Sequence, residues 1–65
     1  MTKLTIKLSG PMGNAFAIMG AVRDLLPDQK TRDEYVTKAT AGTYQELLNV
    51  SEEFTKAAGH KVVFR

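Results

Sequence analysis

The chain has 65 residues, of which 43% are hydrophobic and 25% are charged, with no cysteine, no tryptophan and a net charge of +2. This length allows a single domain, residues 1–65, and such a chain buries only roughly 60% of the surface that its unfolded form exposes. Because disulfides are excluded and His60 is the sole histidine, the fold depends on close helix packing or self-association rather than on a disulfide or a structural zinc ion.

The first predicted element is a strand over Lys3–Ser9, where apolar and polar residues alternate. A period of two is typical of a half-buried strand. The face predicted to be buried consists of Leu4, Ile6 and Leu8. Gly10-Pro11 ends the strand because proline cannot continue a hydrogen-bonded ladder.

A helix is predicted next, from its N-cap Asn14 to Leu26, the residue before Pro27. Residues at i, i+3 and i+4 spacing form its inward stripe: Ala15, Ile18, Met19, Val22 and Leu26. Other residues extend the apolar surface around the helix: Phe16, Ala17, Gly20 and Ala21. Such a helix is typically covered on more than one side. We therefore predict a subunit interface formed by Phe16, Met19, Gly20 and Arg23.

Two S/T-x-x-E capping boxes predict the starts of the next two helices. Thr31 with Glu34 opens a helix that runs to about Thr40, with Gly42 as the C′ residue. Thr43 with Glu46 opens a longer helix to about Ala58, ended by Gly59. The inward stripe predicted for this longer helix is Tyr44, Leu47, Leu48, Ser51, Phe54 and Ala58.

The β-branched and aromatic run Lys61–Arg65 predicts a second strand. The fold class is therefore α+β, in the order strand, three helices, strand, with a short two-stranded sheet covered by helices. Two strands alone are barely stable in water, so they pair beneath the helices or extend across a subunit interface. This favours a homo-oligomer, and the relative direction of the strands stays open.

The segment between the first strand and the first helix has the chemistry of an anion site. It comprises Gly10, Pro11, Met12, Gly13 and Asn14. A helix N-terminus presents backbone N–H groups and the positive end of the helix dipole, which suit a phosphate. Lys7 and Arg65 are predicted to balance the charge of the ligand. The alternative is a simple turn in which the glycines take positive φ and Asn14 caps the helix.

Other functional classes find little support in the sequence. No nucleophile has a plausible base beside it, and no acidic cluster has metal-ligand spacing, so we expect no enzyme, metal or cofactor. Basic residues are scattered, which argues against a dedicated nucleic-acid surface, although Lys3, Lys7, Lys61 and Arg65 share one sheet face if the strands pair. Solubilising edge charges are the alternative explanation of those four residues. Without a membrane span or signal peptide pattern, we expect a cytoplasmic protein.

The segment Leu8–Gly20, which contains G-P-M-G-N-A-F-A-I-M-G, resembles very small proteins of tailed bacteriophages and prophages that often carry G-P-x-G-N-A-[FY]-x-[LI]-M-G after a short strand. Ala41–Leu48 is similar to the stretch S-G-D-Y-x-x-L-L of the same proteins. Thr43 replaces an aspartate that they often have; both residues cap helices, so the departure bears on any acidic ligand contact there and not on the fold. The resemblance implies a phage accessory protein acting in the host cytoplasm.

Two functions follow as hypotheses. The first is a non-catalytic binder that sequesters a phosphorylated or nucleotide signal of host defence at the Gly10–Asn14 loop of an oligomer. The second is a protein–protein inhibitor that docks on a host enzyme through an exposed apolar helix face or a free strand edge. A minor structural or assembly role in the phage is a further alternative.

Overall fold

The elements follow one another in the predicted order of strand, three helices, strand. The computed structural model describes residues 3–10 and 13–65. Its elements are β1 (Lys3–Ile6), α1 (Ala15–Arg23), α2 (Gln29–Ala39), α3 (Tyr44–Ala57) and β2 (Lys61–Phe64). The α+β fold is thereby confirmed: a two-stranded sheet and three helices share one hydrophobic core.

The two strands run parallel, a direction that the sequence had left open. Leu4 is paired with Val62 and Ile6 with Phe64. Ile6 and Val62 belong to the hydrophobic core, and the partly buried Leu4 and Phe64 pack against it. Parallel neighbours need a long crossover connection, which the three helices provide.

β1 ends at Ile6 rather than at the predicted Ser9. The chain turns directly after the strand, where the Gly10 N–H donates to the Lys7 carbonyl at 3.1 Å. The ladder nevertheless continues for one step beyond both strands. The Arg65 N–H donates to the Ile6 carbonyl at 2.9 Å, and the Leu8 N–H donates to the Arg65 carbonyl at 2.6 Å.

α1 begins as predicted and ends early. The Asn14 side chain accepts a hydrogen bond from the backbone N–H of Ala17 at 2.8 Å, so Asn14 is the N-cap. The helix stops at Arg23 rather than Leu26, and the next residues form i→i−3 bonds such as Leu26 N–H to the Arg23 carbonyl at 3.1 Å. Proline excludes α conformation from the residue before it, which explains the loosened end. Leu26 is still buried, so its place in the inward stripe was correct.

The capping box predicted at Thr31 and Glu34 is wrong. α2 begins at Gln29, and its N-cap is Asp28, whose carboxylate accepts from the Thr31 backbone N–H at 2.8 Å. Both Asp28 and Thr31 are good N-cap residues by type, and the structure uses the earlier one. The prediction that Gly42 ends this helix as the C′ residue is also wrong, because the C-cap is Thr40 and Gly42 lacks a positive φ.

α3 has both predicted ends. Thr43 and Glu46 form the full capping box, with the Thr43 side chain and the Glu46 side chain each satisfying a backbone N–H of the other. Gly59 has a φ of +82°, and the His60 N–H donates to the Thr55 carbonyl at 2.9 Å, which is the Schellman ending of a helix.

The core lies between the sheet and the helices. Its buried hydrophobic residues are Ile6, Ile18, Val22, Leu26, Tyr35, Ala39, Leu47, Leu48 and Val62. α3 contacts both β2 and α2, and α1 contacts α2 and α3. Tyr44, predicted to face inward, is instead 43% exposed, while Thr55, absent from the predicted stripe, is fully buried.

A polar network runs through the buried side of α3. The Ser51 hydroxyl donates to the Leu47 carbonyl at 2.7 Å, and the Tyr35 hydroxyl lies 2.6 Å from the Ser51 oxygen. Because Ser51 gives its single proton to Leu47, Tyr35 donates its own to Ser51. Thr55 donates to the Ser51 carbonyl at 2.8 Å, so each of these buried hydroxyls has a partner.

Candidate functional site

The predicted anion loop lies partly outside the described residues, since the structure describes Gly10, Gly13 and Asn14 but not Pro11 or Met12. The Asn14 side-chain oxygen is engaged in capping α1 through the Ala17 N–H. The Gly13 N–H donates to the Gly10 carbonyl at 2.9 Å, which closes a tight turn. These contacts give Asn14 and Gly13 structural roles in the turn and the cap.

Glycine is required at position 13 because a side chain would not fit there, not because the backbone has a positive φ. Neither Gly10 nor Gly13 has a positive φ, so the turn is not built as the sequence-based alternative supposed. A Cβ atom at Gly13 would lie 2.0 Å from the Leu8 carbonyl oxygen, far inside van der Waals contact. The Tyr44 hydroxyl donates to the Gly13 carbonyl, which ties this turn to the start of α3. Glycine at position 13 therefore leaves space for the backbone of Leu8, rather than for a ligand.

Lys7 and Arg65, the predicted charge-balancing residues, come together at the end of the sheet. Each lies one position beyond the Ile6–Phe64 pair, so they are neighbours across the two strands, and both are exposed. Along β1, exposed Lys3 and Thr5 alternate with core-facing Leu4 and Ile6. Lys7 and its neighbour Arg65 continue the exposed side of this alternation. Their charges therefore belong to the open face of the sheet.

The predicted interface residues form one continuous surface beside α2. Phe16, Met19, Gly20 and Arg23 of α1, called the α1 surface below, line a cleft of about 280 Å³ together with Val36 and Thr40 of α2. Phe16 is 83% exposed, although it is one of the large hydrophobic residues of the chain. A Cβ atom at Gly20 would meet nothing within 4 Å, so this position is open to an approaching group.

A second cleft shares Phe16, Met19 and Thr40 with the first. Its volume is about 290 Å³, and it runs between α1 and the beginning of α3. Ala15, Met19, Tyr44 and Leu47 contribute its apolar wall. Phe16 thus projects between two shallow apolar clefts, and a partner that covers the ring can fill both of them.

Sequence reasoning identified the α1 part of this surface and missed the parts from α2 and α3. Val36 and Tyr44 reach the clefts because α2 and α3 pack beside α1, which helix periodicity alone does not specify. Tyr44 was predicted for the inward stripe of α3, but it is partly exposed and lines the second cleft.

The remaining depressions are less suited to a ligand. One, of about 590 Å³, is lined by Lys30, Asp33, Glu34, Thr37 and Lys38, all from α2. Because one helix supplies every lining residue, no opposing wall encloses a ligand. Another, of about 380 Å³, lies beside the half-buried His60 and includes Glu52 and Lys61.

Two ionisable groups have shifted pKa values, and both shifts have structural causes. The backbone hydrogen bond from Thr31, followed by its side chain, lowers the pKa of Asp28 below 3.8. Burial raises the pKa of Tyr35 above 10.0, against the opposing effect of its hydrogen bond with Ser51. One group caps a helix and the other lies in the core, so neither marks a reactive centre.

Comparison of the sequence and the structure with family models, curated proteins and solved structures finds no significant match. Across residues 3–10 and 13–65, no helix is long and apolar enough to cross a membrane. In that same part of the chain, no group of three His, Cys, Asp or Glu side chains is placed to hold a metal ion.

Proposed function

We propose that the protein is a non-catalytic protein-binding module that docks its α1 surface on a partner protein. The exposure of Phe16 between two apolar clefts is the observation that supports this proposal. Aromatic residues are enriched among the side chains that dominate interface energies, and exposed apolar patches on small proteins often mark binding sites.

The core is covered within one chain, which favours a different protein as the partner over an obligate second copy of this chain. Ile18 and Val22, the centre of the α1 stripe, are completely covered within one chain. Across residues 3–10 and 13–65, the exposed large hydrophobic side chains are Phe16 and Tyr44, which line the same cleft, and the exposed Arg23 lies at the rim of the α1 surface. This combination fits a partner that offers an apolar side chain to the cleft and a carboxylate to Arg23. The resemblance to phage proteins makes a bacterial host protein, inhibited by the docking, the partner that we propose.

Three tagged chains test the proposal: the wild type, Phe16→Ala, and Glu53→Ala as a control that truncates an exposed side chain on α3. We expect the wild type and Glu53→Ala to retain the same protein from a bacterial lysate. Phe16→Ala should bind it about 30-fold more weakly, since truncating a central interface aromatic costs about 2 kcal/mol. Equal retention by all three chains would contradict the proposal.

Light scattering of the purified chains separates the partner from self-association. A monomeric wild type supports docking on another protein. A dimer that Phe16→Ala dissociates and Glu53→Ala leaves intact overturns that assignment, and it supports the homo-oligomer predicted from the sequence instead.

The phosphorylated ligand at the Gly10–Asn14 loop remains a prediction with a simple test. A ligand that binds only the native state raises the unfolding temperature, by the equivalent of about 2.7 kcal/mol at a concentration 100 times its Kd. We would screen nucleotides, cyclic nucleotides and inorganic phosphate at millimolar concentration by thermal shift. Absence of any shift would exclude this binding function.

A further inference from the structure

The parallel register brings four cations that are far apart in sequence onto one face of the sheet. Lys3 is paired directly with Lys61, and Lys7 lies beside Arg65 at the other end of the strands. All four side chains are exposed. Thr5 and Val63 are paired between them. These six positions, called the basic face below, alternate with the residues that enter the core.

Negative charges are distributed unequally between the sheet and the helices. Seven acidic residues are present, and all of them lie between Asp24 and Glu53. The sequence before Asp24 and after Glu53, which includes both strands, has no carboxylate side chain. The basic face therefore has four positive charges with no acidic side chain on either strand to offset them.

We expect this arrangement to lower the stability of the free protein, and a bound anion would offset that effect. Like charges directly opposite each other on adjacent strands are destabilising, and Lys3 and Lys61 are such a pair. Parallel sheets are usually covered on both faces, whereas the exposed side chains here leave one face open. Edge lysines that only prevent aggregation do not need to be paired with each other. The pairing instead points to a polyanion that covers this face.

The shape of the basic face specifies a narrow ligand. Its two strands lie about 4.8 Å apart, and the four steps from the first to the last cation of each strand span about 13 Å, because a strand rises about 3.3 Å per residue. The Thr5 hydroxyl adds a hydrogen-bond donor in the middle. The face has no aromatic ring on which a base could stack and, apart from Val63, no apolar side chain to enter a bilayer.

We propose that the basic face binds the phosphodiester backbone of single-stranded nucleic acid without sequence preference. A double row of cations, two strands wide, matches one extended chain of phosphates, and the missing aromatic rings leave charge as the main source of affinity. This site is separate from the α1 surface. Its cations are adjacent only in the folded chain, so the sequence shows no run of basic residues.

The salt dependence of binding to a short fluorescent oligothymidine, followed by anisotropy, tests the proposal. Four phosphate contacts predict that log K falls with log salt concentration at a slope of about −2.8, since each contact contributes about −0.7 for a single strand. The double variant Lys3→Gln/Lys7→Gln should bind more weakly at low salt and reduce the slope to about −1.4. An oligouridine of equal length should behave in the same way, since the backbone charge is shared.

Lys30→Gln/Lys56→Gln is the matched control, because it removes the same charge from exposed positions on α2 and α3. We expect this control to keep nearly the wild-type slope. Equal losses in the two double variants would overturn the proposal, as would undetectable binding at low salt. Tighter binding of a duplex, or equal binding of anionic lipid vesicles, would contradict the single-stranded ligand. A salt-sensitive assembly of the protein alone would assign the face to a second copy.

Unfolding of the free protein gives a second measurement that does not need a ligand. If repulsion between Lys3 and Lys61 is uncompensated, Lys3→Gln should raise the unfolding temperature, whereas Lys30→Gln should not. A lower unfolding temperature for Lys3→Gln would mean that this lysine stabilises the sheet, and that result would remove the physical basis of the proposal.

Discussion

At Gly13 the chain passes so close to Leu8 that a side chain has no room. The atom in the way is the Leu8 carbonyl oxygen, 2.0 Å from the position of a Cβ atom, and backbone cannot move aside as a flexible side chain can. We expect Gly13→Ala to lower the free energy of unfolding by about 3 kcal/mol, the upper part of the range for overpacked sites. Urea denaturation followed by circular dichroism measures this loss.

Gly20→Ala is the control for that experiment and should act in the opposite direction. Gly20 lies inside α1, and a Cβ atom there meets nothing within 4 Å. Alanine in a helix interior is more stable than glycine by roughly 0.5–1 kcal/mol, so the urea midpoint should rise. If both glycine variants destabilised the protein equally, the close approach at Leu8 would not be the reason for Gly13.

Tyr35 links stability to alkaline pH through its buried hydroxyl. Burial raises its pKa above 10.0, so the folded state holds the proton more tightly than the unfolded state. The stability that the tyrosine contributes is complete below pH 10 and declines as the pH rises from there through the raised pKa. Tyr35→Phe should cost about 1 kcal/mol at neutral pH through the lost hydrogen bond to Ser51.

The difference in unfolding free energy between the wild type and Tyr35→Phe should therefore shrink as the pH rises above 10. Chemical denaturation of both chains at several alkaline pH values measures it, and the phenylalanine variant corrects for the lysines that titrate in the same range. A difference that stayed constant would show that Tyr35 is not protected from ionisation.

Among the three helices, α2 has the most polar sequence, so its N-cap matters to its stability. Its buried residues are Tyr35 and Ala39, and its N-cap is Asp28. We expect Asp28→Ala to lower the urea midpoint, because the Thr31 N–H loses its acceptor and the first turn loses a negative charge. Because the pKa of Asp28 is lowered, its contribution is present above pH 3.8 and is lost as the pH falls through the lower folded value.

Glu34→Ala distinguishes this cap from the capping box that the sequence suggested. In that box, Glu34 would be the residue that satisfies a backbone N–H, but the helix already begins at Gln29. The alanine variant should leave the midpoint almost unchanged. A loss at Glu34 comparable to that at Asp28 would favour the later helix start.

The sequence was informative wherever one local pattern had no competitor. The Thr43–Glu46 box and the positive φ of Gly59 were both predictable because cap chemistry depends on adjacent residues. The start of α2 was not, since Asp28 and Thr31 offered two caps within one turn. The strand direction and the role of Gly13 depend on residues distant in sequence, so no local pattern could specify them. The interface residues of α1 were predictable because the helix has more apolar surface than one inward stripe needs. Val36 and Tyr44 were not, because they reach the clefts beside α1 only through the packing of α2 and α3.

At the scale of the whole molecule, the chain is flat. Its principal extents are 29 × 27 × 15 Å. The shortest extent leaves room for the sheet and one layer of helices, since stacked layers lie roughly 10 Å apart. Every element of such a protein has an outer side. The two proposed binding surfaces are therefore compatible with the same core, because neither α1 nor the sheet needs to change its buried side to receive a ligand.

The closed core also leads to a prediction about concentration. A chain that depends on a second copy for stability unfolds at a temperature that rises with its own concentration, by mass action. Since Ile18 and Val22 are fully covered within one chain, we expect the unfolding temperature to be independent of concentration in calorimetry. Phe16→Ala should leave that temperature nearly unchanged, because a ring that is 83% exposed contributes little to the fold. A temperature that rose with concentration in the wild type, and not in Phe16→Ala, would instead show that the α1 surface binds a second copy and that self-association stabilises this small domain.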